Sequence, residues 1–352
     1  MSTFTRQANG TYTLAMTAAQ LYATIGQLDM VQLAKDAGQG AITTPPPTVT
    51  PLPTSSSGFR GVFAFSTGNS SALATNPDVA GTTLMRYWAE VNPAQGVYNW
   101  QLMDNDMKPW IDAGKQVIWR ISTAGWANWQ KDQNSGHGTP QWVLDQGVPF
   151  VTNDDGSIKP QYWNKTFLAE LSNFVEALAE HYDGNANILA IEIGVGDGGE
   201  TKPDTSKASN VLSKWKAIGY TDANWWEAIQ RIIIIYTSAF KQTPLALMPD
   251  ASFLGGTSGY NEQKVVNYAA QFGVWMQWNG LVAGASLPGS FSGLKVPVIC
   301  EQLNAAGLNK RSFLQDGLTA VKLGIAFLAF TSDLEDSNNA AALKQLAAMV
   351  SK

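Results

Sequence analysis

Carboxylates set at the ends of apolar runs are the residues in this chain whose type and setting speak most directly of chemistry. Glu301 closes Val296-Pro-Val-Ile-Cys-Glu301, a run with no other ionisable carboxylate. Glu200 stands at the far end of Ile191-Glu-Ile-Gly-Val-Gly-Asp-Gly-Gly-Glu200, where the glycines let the backbone turn sharply and leave open space. Two such groups on different strands, facing each other, can cleave an acetal: one protonates the departing oxygen while the other attacks the sugar carbon or activates water. Glu200 is favoured as acid/base, with Asp197 and Glu192 as alternatives. Glu192 lies inside its strand, in register with Ala190 and Gly194, a phase that points it into a barrel to pair with an arginine.

Such groups act together only if the fold carries them to one place. From Gly58 onward, short β-branched or aromatic runs alternate with helical patterns, as βα repeats around a parallel sheet do. Eight runs occur, at 61–66, 83–88, 116–121, 188–193, 244–248, 273–278, 296–301 and 324–330. Between them, Phe167, Leu171, Phe174, Val175, Leu178 and Tyr182 form one stripe over 164–182, and 222–240 and 262–272 behave similarly. The remaining length, about 290 residues, fits a closed α/β fold, the (β/α)8 TIM barrel of about 250 residues plus insertions. The largest insertion is expected at Trp126 to Trp163, between the third strand and its helix. A doubly wound open sheet is the other architecture, but no Gly-rich phosphate loop follows the first run.

A barrel of this kind keeps its active site at the carboxyl ends of its strands. Arg86 and Trp88 close the second run, Arg120 the third, while Asp250 follows the fifth, Trp278 and Asn279 the sixth, and Asp333 the eighth. Arg120, Asp197, Asp250, Asn279 and Asp333 are accordingly expected to contact substrate. Trp88, Trp126 and Trp278 are expected to offer stacking surfaces to sugar rings, against the plainer reading in which large aromatics fill the core.

Composition narrows the rest. Charged residues are only 14% of the chain and the net charge is -5, which leaves no broad basic surface for nucleic acid. The single cysteine, Cys300, and two histidines supply no recognisable zinc set, and no cofactor is expected. The longest apolar run, Ile232 to Tyr236, is far short of the roughly 20 residues that span a bilayer. Residues 39–57, rich in Pro, Ser and Thr, read as a linker. They separate the barrel, 58–352, from a small N-terminal segment, 1–38, in which Thr11 to Leu14 suggests a strand and Leu21, Ile25, Leu28, Val31 and Leu33 a helix. About forty residues hardly fold alone, so this segment is expected to mediate attachment to a larger assembly or a homo-oligomer, or to pack on the barrel. Met1 to Tyr12 lacks the pattern of a secretory signal, so synthesis in the cytoplasm is expected, with a virion or an extracellular assembly as a final site.

Several stretches resemble retaining glycoside hydrolase barrels. Trp88-Ala-Glu-Val-Asn-Pro-Ala-Gln-Gly-Val-Tyr-Asn-Trp100, Asp104 and Gly114-Lys-Gln-Val-Ile-Trp-Arg120 look like the early strands of the clan containing β-galactosidases and many endoglycanases. Thr139-Pro-Gln-Trp-Val-Leu144, Pro160-Gln-Tyr-Trp-Asn164, His181-Tyr-Asp-Gly184 and the loop from Gly194 to Glu200 are similar to a β-galactosidase-like branch. The resemblance implies cleavage of a β-linked oligo- or polysaccharide, with Glu200 as acid/base, Glu301 as nucleophile and Arg86 as the arginine that keeps the nucleophile ionised. It also implies retention of configuration and an acid/base whose pKa is raised by burial and neighbouring negative charge. One departure stands out: the clan ordinarily presents Asn-Glu directly at the end of strand four, where this chain has Val195-Gly196, so Glu200 must arrive from a longer loop. The alternative from another class is a non-catalytic carbohydrate-binding or structural barrel of a virion, tail fibre or surface filament.

Overall fold

In the computed structural model the described residues are 3–6, 12–15, 60–66, 71–124, 138–206, 210–250 and 262–350. Near the start, β1 (Thr3–Arg6) and β2 (Tyr12–Ala15) pair antiparallel, with Phe4 opposite Leu14. The apolar stripe from Leu21 to Leu33 and the linker 39–57 lie outside the described residues.

All eight expected runs are strands of one closed parallel barrel. In chain order they are β3 (Val62–Ser66), β4 (Gly81–Tyr87), β5 (Gln116–Ser122), β8 (Ile188–Glu192), β9 (Leu245–Leu247), β10 (Trp275–Leu281), β11 (Val298–Gln302) and β12 (Ala326–Phe330), and β12 pairs back onto β3. The chain is a (β/α)8 barrel. The antiparallel hairpin of β6 (Phe150–Thr152) and β7 (Ile158–Pro160) falls within the expected insertion, after β5. Helices cover the outside as their periodicity requires. Lys165–Tyr182 buries Phe167, Leu171, Phe174, Val175, Leu178 and Tyr182, and it begins where the Asn164 side chain accepts from the amides of Thr166 and Phe167 at 2.9 and 3.2 Å.

Two packed layers result, and they set the phase of every strand. Outside, strand residues such as Leu84, Trp119, Ile191, Met276 and Cys300 meet the helices. Inside, Phe63, Phe65, Ile118, Ala190, Ala246, Trp275, Ile299, Ala326 and Leu328 fill the barrel, small alanines set among large rings. Successive strand residues point to opposite faces, so the side chains two positions beyond this interior layer also point inward, one level nearer the carboxyl ends. Beyond Ile118, Ala190, Trp275 and Ile299 these are Arg120, Glu192, Gln277 and Glu301.

Candidate active site

Those four side chains form one buried polar layer over an apolar plug. The Arg120 guanidinium, 3% exposed, donates Nε to Glu192 Oε2 and Nη2 to Glu301 Oε2 at 2.8 Å, and it lies 4.7 Å from the centroid of the Phe65 ring. Gln277 Nε2 also donates to Glu301 Oε2, at 2.8 Å. Burial works against the arginine's charge, but the two carboxylates outweigh it and raise its pKa. Glu192 is fully buried, and burial raises its pKa in spite of Arg120; its Oε1 has no hydrogen-bond partner among the described residues. The inward phase of Glu192 and its pairing with an arginine agree with its strand alternation.

One level higher, Asn279 joins this layer to Glu200. Gln277 Nε2 donates to Asn279 Oδ1 at 3.1 Å, and Asn279 Nδ2 donates to Glu200 Oε1 at 3.1 Å and meets Met248 Sδ at 3.2 Å. A chain of two amides therefore links Glu301 with Glu200. Burial, and next the Asp250 carboxylate, raise the Glu200 pKa to about 7, against the opposing pull of Asn279 and Lys202. Lys202 is itself ion-paired with Asp250. Glu200, Lys202, Met248, Asp250, Trp278 and Asn279 line an open cavity of about 290 Å³, together with Gln277, Glu262 and Leu303.

The approach of Glu200 follows from its glycines. Beyond β8 the chain passes so close to β5 that a Cβ on Gly194 would sit 2.0 Å from the Ile121 carbonyl oxygen, and it then turns through Gly199 at φ +91°. Hydrogen bonds from Gly196 N to Glu200 O and from Asp197 N to Lys202 O, both 2.9 Å, fold the stretch onto itself. Its two edges bridge Ala124 above β5 and Met248 above β9, continuing the barrel wall upward. The longer loop is thus a short rigid turn that sets Glu200 beside Met248. Asp197 holds the turn: Oδ1 receives the buried Lys159 ammonium from β7 at 2.5 Å, and Oδ2 accepts from Thr205 N and Oγ1 at 2.9 and 2.6 Å.

Several expectations need correction. Arg86 does not touch Glu301. It shares the phase of Leu84, faces outward, and donates to both oxygens of Asp106 at 2.7 and 3.0 Å and to Glu90 at 3.2 Å; Arg120 occupies the place beside Glu301. Trp88 is fully buried against Phe167, Phe174 and Trp142, its indole N–H donating to Asn92, so it is core and not a stacking surface. Asp197 is spent on Lys159 and Thr205 and is not a substrate contact. Asp333 is likewise engaged, accepting from Ala306 N, Gly307 N and Gln302 Nε2 behind β11. Neither Arg120 nor Glu301 is among the cavity-lining residues; both lie in the buried layer that Gln277 and Asn279 join to Glu200. Trp126 lies outside the described residues. Asp250, Trp278 and Asn279 do line the cavity. Gln277, Lys202 and Glu262 were missed; for Gln277 the signal was its position midway between Trp275 and Asn279 on one strand face.

No protein-family profile matches the chain, and no curated protein matches it significantly. Among solved structures, the catalytic domain of beta-amylase from Paenibacillus polymyxa is similar at 12% identity and a TM-score of 0.57, over 82% of this chain and 97% of that one. Endo-glycoceramidase II from Rhodococcus sp., in a cellobiose-like imidazole complex, is similar at 14% identity and a TM-score of 0.47, over 78% and 73%. The chain has the (β/α)8 barrel fold found in glycoside hydrolases. The beta-amylase neighbour supports that fold alone and not the β-galactosidase-like branch.

Proposed function

We propose that the protein is a glycoside hydrolase that cleaves β-glycosidic bonds of an oligo- or polysaccharide with retention of configuration. The observation that carries the reading is the unequal pair of carboxylates joined through Gln277 and Asn279. Glu301 receives Arg120 and Gln277, whereas Glu200 is raised to about 7 by burial and Asp250, so it holds a proton through the acidic range. The motif resemblance at 88–100 and 194–200 supports the β linkage.

Each oxygen has a role in this reading. Asn279 donates to Glu200 Oε1, so the acid proton sits on Oε2 and passes to the departing glycosidic oxygen. Arg120 and Gln277 both hold Glu301 Oε2, and Oε1, to which none of the described residues donates, attacks the anomeric carbon as its bond to the leaving oxygen breaks. The product is a glycosyl ester on Glu301. Ionised Glu200 next takes a proton from water; the hydroxide oxygen bonds to the anomeric carbon, and Glu301 leaves as carboxylate. Glu192 has a consequence here: when ester formation removes the charge of Glu301, Arg120 is still paired with a carboxylate. The low-dielectric layer never holds a lone cation.

The test is a chromogenic-glycoside and polysaccharide screen of wild type beside Glu301→Gln and Glu200→Gln, with the anomer of the first product read by NMR. Glu301→Gln is expected to fall to the uncatalysed background. Glu200→Gln is expected to lose on the order of 10²- to 10⁴-fold, with azide restoring turnover of aryl glycosides. Undiminished turnover in Glu301→Gln, or first-formed product of inverted configuration, overturns the mechanism. Binding without cleavage in all three proteins favours the non-catalytic barrel.

A further inference from the structure

A second depression, about 390 Å³, lies on the outer wall of the barrel and is lined by Trp226, Gln263, Lys264, Asn267, Tyr268 and Gln271. Its chemistry is unlike that of the catalytic cavity. Gln263, Asn267 and Gln271 recur every fourth residue and so share one face of the helix Glu262–Ala270 and its end. Their amides form an exposed row: Gln263 Nε2 donates to Asn267 Oδ1 at 2.8 Å, and Gln271 Nε2 to the Asn267 carbonyl at 3.1 Å. Beside the row, the half-buried rings of Trp226 and Tyr268 meet edge to face at 5.5 Å. Planar amides match paired sugar hydroxyls, and aromatic faces match the C–H faces of pyranose rings. Among the described residues of the lining Lys264 is the one that carries a charge, with its ammonium 4.7 Å from the Trp226 ring centroid.

Residues of one helix line both depressions. Glu262, the first residue of the same helix, lines the catalytic cavity. Ser290 Oγ donates to Glu262 Oε1 at 2.7 Å, and Gln263 Nε2 donates to the Ser290 carbonyl at 3.1 Å. The cavity rim and the first amide of the row are one hydrogen-bonded unit. At about 290 Å³ the cavity itself is at the small end of ligand sites, so a polymer bound there must leave it over some part of the rim.

We propose that the groove of Trp226, Tyr268, Gln263, Asn267 and Gln271 is a distal carbohydrate-binding site that holds the continuation of an uncharged polysaccharide strand leaving the catalytic cavity across Glu262 and Ser290. This deepens the hydrolase reading and rests on it: the substrate is a neutral polymer, longer than the cavity. The full chain is tested by affinity electrophoresis in gels cast with soluble β-glucan, xylan or galactan, beside turnover of the same polymers and of short aryl glycosides. Trp226→Ala and the doubly substituted Asn267→Ala/Gln271→Ala protein, changed only on an exposed helix face, are compared with wild type. Wild type is expected to be retarded by at least one polymer, and each variant to lose about tenfold in affinity and in kcat/KM on it, with aryl glycoside turnover unchanged. Absence of retardation in all three gels, or equal losses on polymer and aryl glycoside, overturns the groove; so does capture of a protein by the wild-type groove without polymer retardation. Retardation that depends on the groove, with no cleavage by wild type, sinks the hydrolase reading and leaves the groove standing. Cleavage with no dependence on the groove does the reverse.

Discussion

Arg86 and Arg120 stand on adjacent parallel strands, one opposite Ile121 and the other opposite Met85, yet they serve different parts of the molecule. Arg86 faces out and clamps the helix Trp100–Asp112 through Asp106, while Glu90 takes a third hydrogen bond. Arg120 faces in and joins Glu192 to Glu301, residues 72 and 181 positions away along the chain. Each arginine meets two carboxylates. What separates them is a single step of strand phase, which puts one among the packing elements of the wall and the other in the buried layer between Glu192 and Glu301.

That contrast can be broken directly, and the largest effect is expected from Arg120→Met. It leaves Glu192 and Glu301 buried without their cation, so activity is expected to disappear. Stability should fall by about 3–5 kcal/mol, read by urea denaturation; substantial turnover in this variant would show that the inner arginine is dispensable. Next comes the pH profile. Glu200 must be protonated to act as acid, so kcat/KM is expected to fall as pH rises through about 7. A limb left unmoved in Asp250→Asn would contradict the charge argument, because removing that carboxylate favours ionised Glu200 and should carry the alkaline limb downward by about a unit or less.

The same proton has a signature in folding. Glu200 is raised from 4.5 to about 7 in the folded chain, so the folded state keeps a proton that the unfolded chain releases. Its contribution is fully present below about 4.5 and is lost as pH rises through about 7. The Tm of wild type should therefore decline across that window more steeply than the Tm of Glu200→Gln. The smallest effect on chemistry is expected from Arg86→Met: kcat/KM stays near wild type, while stability drops by about 1–3 kcal/mol through the lost charged hydrogen bonds. A large fall in kcat with the fold intact would return Arg86 to the site.

Much of this architecture was legible beforehand. All eight strands lie on the runs marked by β-branched and aromatic residues, and the helix Lys165–Tyr182 buries the stripe its periodicity marks. Glu301 ends a strand and Glu200 follows a glycine turn, as marked, and the two are joined through Gln277 and Asn279, with Glu200 lining the cavity. Strand phase was harder to read for a definite reason. A parallel barrel is covered on both faces, so its strands lack the polar-apolar alternation that tells inside from outside. In β4, Gly81-Thr-Thr-Leu-Met-Arg-Tyr87 is buried at nearly every position, and nothing local shows that Arg86 keeps company with Leu84 on the outer face. Asp197 and Asp333 were misread for a related cause: a carboxylate beside a strand end has the same sequence appearance whether it awaits a ligand or already holds Lys159 or the amides of Ala306 and Gly307.

By itself, the order of residues determined the local elements, the glycine turn and the chemical types available at the carboxyl ends of the strands, because propensity, helical period and backbone freedom act over a few neighbours. Tertiary structure alone decided which side of each strand faces the axis, which arginine meets Glu301, and how Asn279 and Gln277 come between two carboxylates 101 positions apart in the numbering. Those outcomes depend on closing the barrel around Phe63, Phe65 and Trp275, and burial of that common interior is a property of all eight strands together.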